Sequence, residues 1–308
     1  MKKKIYFIFA ILFGFTWQTK AQEDLLNELE GQVEEEIQYV SYTFKSTRII
    51  NGHSIERMKA KQLDFRINHR FGQINSGIYE LGGLDNALIN FSFEYGINDW
   101  LMAGIRRGTD KKTYDGSLKF TILKQSKGKV NMPVSLSYYT NISQKTMRGY
   151  MDLPNIKDAD FSINKHRLAF AHQLLVARKF NEALSVQISP TYVHRNYVNI
   201  TDNNDVIAVG FGGRYKFIRR LAFTWEYFYT NNVSSDNSYK YPLAFGFDLE
   251  TGGHVFQLFL CNSMPMVEDG FISETTGNWL DGGVYFGFNM SRVFAIGGEK
   301  DKEEHITE

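Results

Sequence analysis

The sequence predicts an all-β protein, a transmembrane antiparallel up-and-down β-barrel of about 12 strands with short periplasmic turns and long external loops. Three observations predict it: an aromatic-rich but dispersed composition, period-two alternation from residue 62 onward, and connections that alternate in length. Of 308 residues, 43% are hydrophobic and 15% aromatic, yet 22% are charged. Apolar side chains so interleaved with polar ones suit strands that are apolar on one face and wet on the other. A disulfide scaffold or Cys-based zinc site is excluded because Cys261 has no partner cysteine. The 35 basic residues are balanced by 34 acidic ones, so no nucleic-acid partner is expected. The apolar content argues against disorder.

Residues 1–21 open with Lys2, Lys3 and Lys4, run apolar from Ile5 to Trp17, and end at Ala21. A basic start, an apolar run too short to span a bilayer and a small terminal residue form an export signal peptide. No later stretch has the length of apolar residues a membrane helix needs, so any span must be a strand. Residues 22–40 are acidic, with Leu25, Leu26 and Leu29 at helical spacing. Segment 22–61 as a whole is expected to be periplasmic or inserted in the lumen, and to be the contact for any periplasmic protein partner.

The barrel is expected over 62–294. Leu63, Phe65, Ile67 and Phe71 share one face, with Asp64, Arg66, Asn68 and Arg70 on the other. The same alternation recurs around Leu118, Leu184, Ile207, Leu221 and Leu243. The large set is apolar and the opposite set is small or charged, so the aromatics face hydrocarbon and the small residues enclose a wet lumen. Short connections are expected at 96–99, 126–129, 180–182, 218–220 and 251–253. Long ones are expected at 72–85, 107–114, 141–164, 196–205, 231–240 and 261–281, and the loops at 141–164 and 261–281 either fold inward as constrictions or face outward. Twelve strands bring both barrel ends to the short-turn rim, as closure of a single chain requires. The last strand, 283–294, resembles the terminal strand recognised by barrel insertion machinery, and a charged tail follows at 295–308. The localisation is therefore the outer membrane, with its lipid and that machinery as partners.

Four stretches resemble an uncharacterised outer-membrane β-barrel family of Bacteroidota. They are Phe44-Lys45-Ser46-Thr47-Arg48-Ile49-Ile50-Asn51-Gly52-His53-Ser54-Ile55-Glu56, then Leu63-Asp64-Phe65-Arg66-Ile67-Asn68-His69-Arg70-Phe71-Gly72, then Leu84-Asp85 with Glu94-Tyr95-Gly96-Ile97. The resemblance implies an exported barrel and supplies neither a substrate nor an active site.

Strand alternation sends Arg66, Arg70, Arg106, Lys119, Lys165, Arg167, Arg214 and Lys216 inward, with Asp64, Glu94, Glu226, Asp248 and Glu250. This mildly basic lining would favour small anionic solutes in an open pore. If instead the groups pair with one another, they plug a narrow barrel. The leading functional expectation is a porin-like passive channel. The alternative is a plugged barrel serving as a structural or assembly component, and a lipid hydrolase using His53 and Ser54 is a distant third. Adjacent residues on a strand face opposite ways, so His53 and Ser54 make a poor base and nucleophile, and Asn51-Gly52 reads as a turn. The histidines lack metal spacing, and neither a cofactor, a metal nor a catalytic residue is expected. His172 falls on the apolar face, which requires either a bulge or a failure of the face assignment there.

Overall fold

The computed structural model describes residues 36–147, 164–231, 233–235 and 238–296. The expected signal peptide (1–21), residues 22–35 of the acidic leader, most of the 141–164 loop and tail residues 297–308 lie outside the described residues.

Fourteen strands are described. They are β1 (Ile37–Tyr39), β2 (Gln62–Gln73), β3 (Ala87–Gly96), β4 (Leu101–Gly108), β5 (Thr113–Leu123), β6 (Ser126–Gly128) and β7 (Ser135–Lys145). The second half of the chain adds β8 (Leu168–Lys179), β9 (Leu184–Arg195), β10 (Asp205–Ile218), β11 (Leu221–Asn231), β12 (Leu243–Thr251), β13 (His254–Cys261) and β14 (Tyr285–Ala295). Twelve of them, all but β1 and β6, form one closed barrel. Each pairs antiparallel with its neighbours in chain order, and β14 closes onto β2 with Phe294 opposite Leu63. Closure leaves no unpaired strand edge facing lipid, which hydrocarbon requires. β1 and β6 form a separate two-stranded antiparallel pair, Ile37 opposite Gly128.

Burial alternates along most of each strand, and the exposed set is the apolar one. Phe91, Phe93, Ile105, Leu118, Ile188, Phe211, Phe247 and Leu258 all keep 40% or more of their surface accessible on the outer wall. Their sequence neighbours, such as Ser92, Glu94, Ser117 and Lys119, are buried on the inside. Bulky residues point out and polar ones in, an inside-out arrangement stable only where the surroundings are apolar.

Two connections depart from the expected lengths. The 109–112 turn between β4 and β5 is short, although it lies on the rim of long loops. The expected tight turn at 126–129 is instead the longer span 124–134, because Ser126–Gly128 is used as a strand edge by β1. His172 does face outward, and the β7–β8 register runs without interruption from Ser135 opposite Ala177 to Gln144 opposite Leu168, so no bulge is involved. Its polarity is satisfied locally: Nδ1 lies 2.7 Å from the Tyr138 hydroxyl and 3.0 Å from Thr140 Oγ1, and its ring stacks against Tyr138 and Tyr192.

Replacing Leu118 at mid-height on the outer wall by Arg should destabilise the barrel by about 2–4 kcal/mol, the usual cost of a cation near the bilayer midplane. Urea unfolding in lipid vesicles checks this, and a neutral outcome would mean that this face does not meet lipid.

Candidate functional site

The lumen is filled by two parts of the chain itself. Between Thr43 and Ile55 all residues but Lys45 are buried, and between Asn262 and Thr275 nearly all are. The first segment enters from the short-turn rim, where Lys61 N donates to Gly96 O at 2.9 Å. It doubles back as a small hairpin, with Ile49 N donating to Gly52 O and Ser54 N to Thr47 O, both at 2.9 Å. The turn is Ile50-Asn51, so the Asn51-Gly52 signal in the sequence marks it one position late. A Cβ on Gly52 would stand 3.1 Å from the Phe228 ring and 3.3 Å from Glu226 Oε2, so glycine lets the tip sit directly on the wall.

A two-residue hairpin cannot satisfy its own backbone, and inner-wall side chains complete it. Glu226 on β11 accepts from three successive amides, Ile50 N at 3.3 Å, Asn51 N at 3.3 Å and Gly52 N at 2.9 Å. This is a backbone nest closed on a carboxylate. Lys119 Nζ on β5 donates to the carbonyls of Thr47 (3.2 Å), Ser54 (3.0 Å) and Glu56 (2.7 Å). Gln257, Asn289 and Gln187 donate to the carbonyls of Ile49 (2.7 Å), Ile50 (3.0 Å) and His53 (2.7 Å). Arg70 donates to Asn51 Oδ1 and lies over the Phe259 ring with its guanidinium carbon 4.1 Å from the centroid. Arg66 donates to Ser46 Oγ and to Asp64 Oδ2 at 3.2 Å. Phe44, Ile49, Ile50 and Ile55 pack against inward-facing Tyr139, Leu175, Ala244 and Phe259.

The second segment is the β13–β14 loop, which carries the short helix α1 (Glu268–Ser273). Of its two expected alternatives, the structure shows the inward one. Phe271 meets Phe228 edge-on at 5.3 Å, within an apolar cluster that includes Ala171, Val193 and Ile272. Ser143 Oγ donates to Asp269 Oδ1 at 2.8 Å. Glu268 is fully buried, pairing with Arg106 from the wall through Oε2 and with Arg48 from the hairpin through Oε1 at 3.2 Å. The two insertions therefore meet at the Arg48–Glu268 pair. Burial raises the Glu268 carboxyl, but the Arg106 and Arg48 guanidiniums overcome this and hold it below the usual carboxylate range.

Of the residues expected to line the lumen, Arg66, Arg70, Arg106, Lys119, Arg214, Glu94, Glu226 and Asp248 are buried on the inner wall. Arg214 reaches Glu250 Oε1 at 2.6 Å and Asp248 Oδ2 at 3.5 Å. Arg167 is not among them. It ends the one-turn 3-10 helix Asn164–Arg167 before β8 and donates to the carbonyls of Lys145 (3.3 Å) and Met147 (3.1 Å), which places it at the outer rim. Lys165 in the same turn is exposed. Period-two alternation does not hold for these two residues, because the strand begins only at Leu168.

Sequence reasoning missed Arg48, Asp115, Arg195, Glu268 and Asp269. Asp115 holds Arg106 Nε at 2.7 Å, and its inward parity with Ser117 and Lys119 was readable. With these included, the fully buried charges among the described residues balance. Arg48, Arg66, Arg70, Arg106, Lys119, Arg195 and Arg214 face Asp64, Glu94, Asp115, Glu226, Asp248, Glu268 and Asp269, seven of each sign. The wall alone keeps a mildly basic excess, six to five, and the inserted segments cancel it. The large residues Tyr139, Leu175, Phe228 and Phe259 on the wet parity were the readable sign that something apolar packs inside.

His53 and Ser54 are structural. Arg48 Nη2 donates to His53 Nε2 at 2.8 Å, the ring lies 3.8 Å from that of Tyr139, and Glu268 and Glu94 carboxylate oxygens stand 3.7 and 3.9 Å away. Ser54 Oγ donates to Ser46 O at 2.5 Å. An imidazole nitrogen that accepts from a guanidinium must be unprotonated. Burial first, then the positive charges of Arg48, Lys119, Arg106 and Arg66, push the His53 pKa well below its ordinary value.

Two outcomes follow for hairpin retention, read by thiol labelling of Ile50→Cys in a Cys261→Ser background. Glu226→Ala strands three buried amides, which costs about 2–3 kcal/mol and raises labelling roughly thirty- to hundredfold. Acidification acts through His53, because the released, hydrated imidazole binds a proton and the inserted one does not. Retention is thus complete above the unperturbed value of 6.5 and weakens below it by up to about 1.4 kcal/mol per pH unit. Glu56, whose carboxyl is raised by burial, titrates with the opposite sign at lower pH. Comparison with His53→Gln isolates the imidazole, and equal pH slopes in the two proteins would refute its part.

Comparison with solved structures finds distant similarity to a porin and to an outer membrane protein. The KdgM porin is 9% identical, with 76% of this chain and 99% of that chain covered and a TM-score of 0.43. Omp33 of Acinetobacter baumannii is 9% identical over 76% of this chain and 98% of that one, with a TM-score of 0.38. No curated protein matches the sequence. The family model described as Membrane bound beta barrel domain (DUF5777) matches residues 44–294, which takes in the lumen hairpin as well as the strands. With its closed twelve-stranded wall and apolar exterior, this chain belongs to that family of membrane-bound β-barrels.

Proposed function

We propose that the protein is a gated porin-like barrel, a passive channel whose lumen is held shut by its own segment 43–55 and opens when that hairpin leaves. The observation that carries this reading is the way the hairpin is held. Its backbone polar groups are bound by side chains of β5, β9, β11, β13 and β14 rather than by strand pairing. Side-chain hydrogen bonds and ion pairs of this kind can be exchanged for water when the segment withdraws, at little net cost per contact. The barrel wall does not depend on the hairpin, because all twelve strands are bonded to one another. The emptied wall keeps a slight basic excess, which favours small anionic solutes weakly.

A periplasmic partner fits this reading as the agent of withdrawal. Of segment 22–61, the stretch just before the hairpin offers exposed Ile37, Tyr39 and Tyr42, whereas the hairpin itself is inaccessible. The Bacteroidota origin suggested by the hairpin motif belongs to the same proposal. The reading includes no catalytic role, since the His53 and Ser54 side chains are engaged with Arg48 and Ser46. Fatty-acid release from phospholipid vesicles that disappears in His53→Ala would contradict it.

Planar-bilayer recording provides the test. The full chain should be closed for most of the recording, and a variant with 43–55 replaced by a flexible Gly/Ser linker should conduct steadily. The Lys119→Met/Glu226→Gln double variant, which keeps the segment but loosens it, should flicker between the two levels. Silence in all three, with correct insertion shown by heat-modifiable electrophoresis, would leave a plugged structural component instead.

A further inference from the structure

At the outer mouth, a cavity of about 350 Å³ lies between the β4–β5 turn, the end of β9 and the inserted loop. Lys111, Lys145 and Arg195 stand on its wall, one from each of three separate elements. All three converge on one carboxylate, Glu274, which directly follows α1. Lys111 Nζ pairs with Oε2, Lys145 Nζ lies 2.8 Å from Oε1, and Arg195 Nη1 lies 3.9 Å from Oε1. Burial raises this carboxyl, but Lys145 and Lys111 outweigh it and hold Glu274 far below the usual carboxylate range.

The turn that presents Lys111 is strained. Lys111 and Lys112 have φ of +46° and +51°, two successive side-chain-bearing residues in the left-handed region. Such conformations persist where the surroundings over-determine them, and they cluster at binding sites. The remaining cavity wall includes the rings of Tyr197 and Tyr239. Its other acids are Asp110 and Asp202. Asp202 is engaged by the Tyr239 hydroxyl at 2.9 Å, and Asp110 sits beside Lys111. Asp269 also approaches Lys145, at 3.5 Å.

The geometry points to a recognition site for a small organic carboxylate arriving from outside, in which the three-cation cradle of Lys111, Lys145 and Arg195 is occupied at rest by Glu274 as an internal stand-in. The incoming carboxylate competes with Glu274 for the cradle. Release of Glu274 frees the loop that places Glu268 against Arg48 and so loosens the contact between the two lumen insertions. That consequence rests on the gated-barrel reading, whereas binding itself does not.

Calorimetric titration of the full chain in detergent micelles with succinate, and with neutral succinamide as control, tests the site. Wild type should bind succinate weakly because Glu274 competes. Glu274→Gln should bind at least tenfold more tightly, and adding Lys145→Gln to that variant should reverse the gain. Succinamide should not bind to any of them. Failure of succinate to bind folded Glu274→Gln, or binding weaker than in wild type, overturns the proposal. Equal affinity for inorganic phosphate overturns the carboxylate assignment. A second measurement needs no change at Glu274: in Ser273→Cys/Cys261→Ser protein, succinate should speed thiol labelling of α1 severalfold, and an unchanged rate counts against the site. If succinate binds as described while the barrel lacking 43–55 stays silent, the site stands and the gate falls.

Discussion

A peptide backbone placed inside a barrel must find a partner for every amide and carbonyl, and the rest of this structure follows from how that requirement is met. The wall strands have already spent their own backbone groups on one another. Only side chains are left to serve the hairpin. They must be long or amide-bearing to span the gap, and they must come from around the whole circumference. Glu226, Lys119, Gln257, Asn289 and Gln187 fulfil this, each on a different strand. A lumen lined for a simple aqueous pore would have no need to match the carbonyls of Thr47, Ser54 and Glu56 with a single ammonium group.

The same demand explains the charge balance. Burying Arg48 at the hairpin's edge is tolerable only beside carboxylates, and Glu268 supplies one from the opposite side of the lumen. Glu268 in turn requires Arg106, which requires Asp115. The chain of pairs runs from the hairpin through the outer loop to the wall, so neither insertion is electrostatically complete alone. Apolar packing adds most of the holding energy. Burying Phe44, Ile49, Ile50 and Ile55 contributes on the order of 2 kcal/mol each, whereas the ion pairs mainly select one geometry over others.

The barrel was legible in the sequence because strand parity and membrane exposure are both local properties. Leu63 to Phe71 alternates whatever else the chain does, and twelve such segments close with the ends on one rim. The rim of the lumen was less legible: Arg167 continues the parity of β8 but lies before its first bonded residue, and nothing in the alternation marks where pairing starts. The filled lumen was hidden for a different reason. Which residue of 43–55 meets which strand depends on a three-dimensional match between a hairpin and the wall around it, a non-local fact. Phe228 and Phe259, bulky on the face assigned to water, were the trace it left. Glu268 carried no signal, because a loop of the same composition could equally well have faced outward.

The distribution of these contacts bears on what an opening motion would require. The hairpin emerges toward the rim where its own chain enters, so withdrawal needs no wall strand to unpair. Each hydrogen bond lost by Glu226, Lys119 or Gln257 is replaced by one to water entering the lumen, and the net cost per contact is a fraction of its strength in isolation. The apolar contacts have no such replacement, so they set the main barrier. Wall residues such as Gly212, whose absent Cβ leaves the space taken by Ile49, tune that barrier more directly than any of the ion pairs do. A barrel held shut in this way combines a rigid, fully bonded wall with a closure whose strength depends on four apolar side chains. That separates the stability of the fold from the state of the passage.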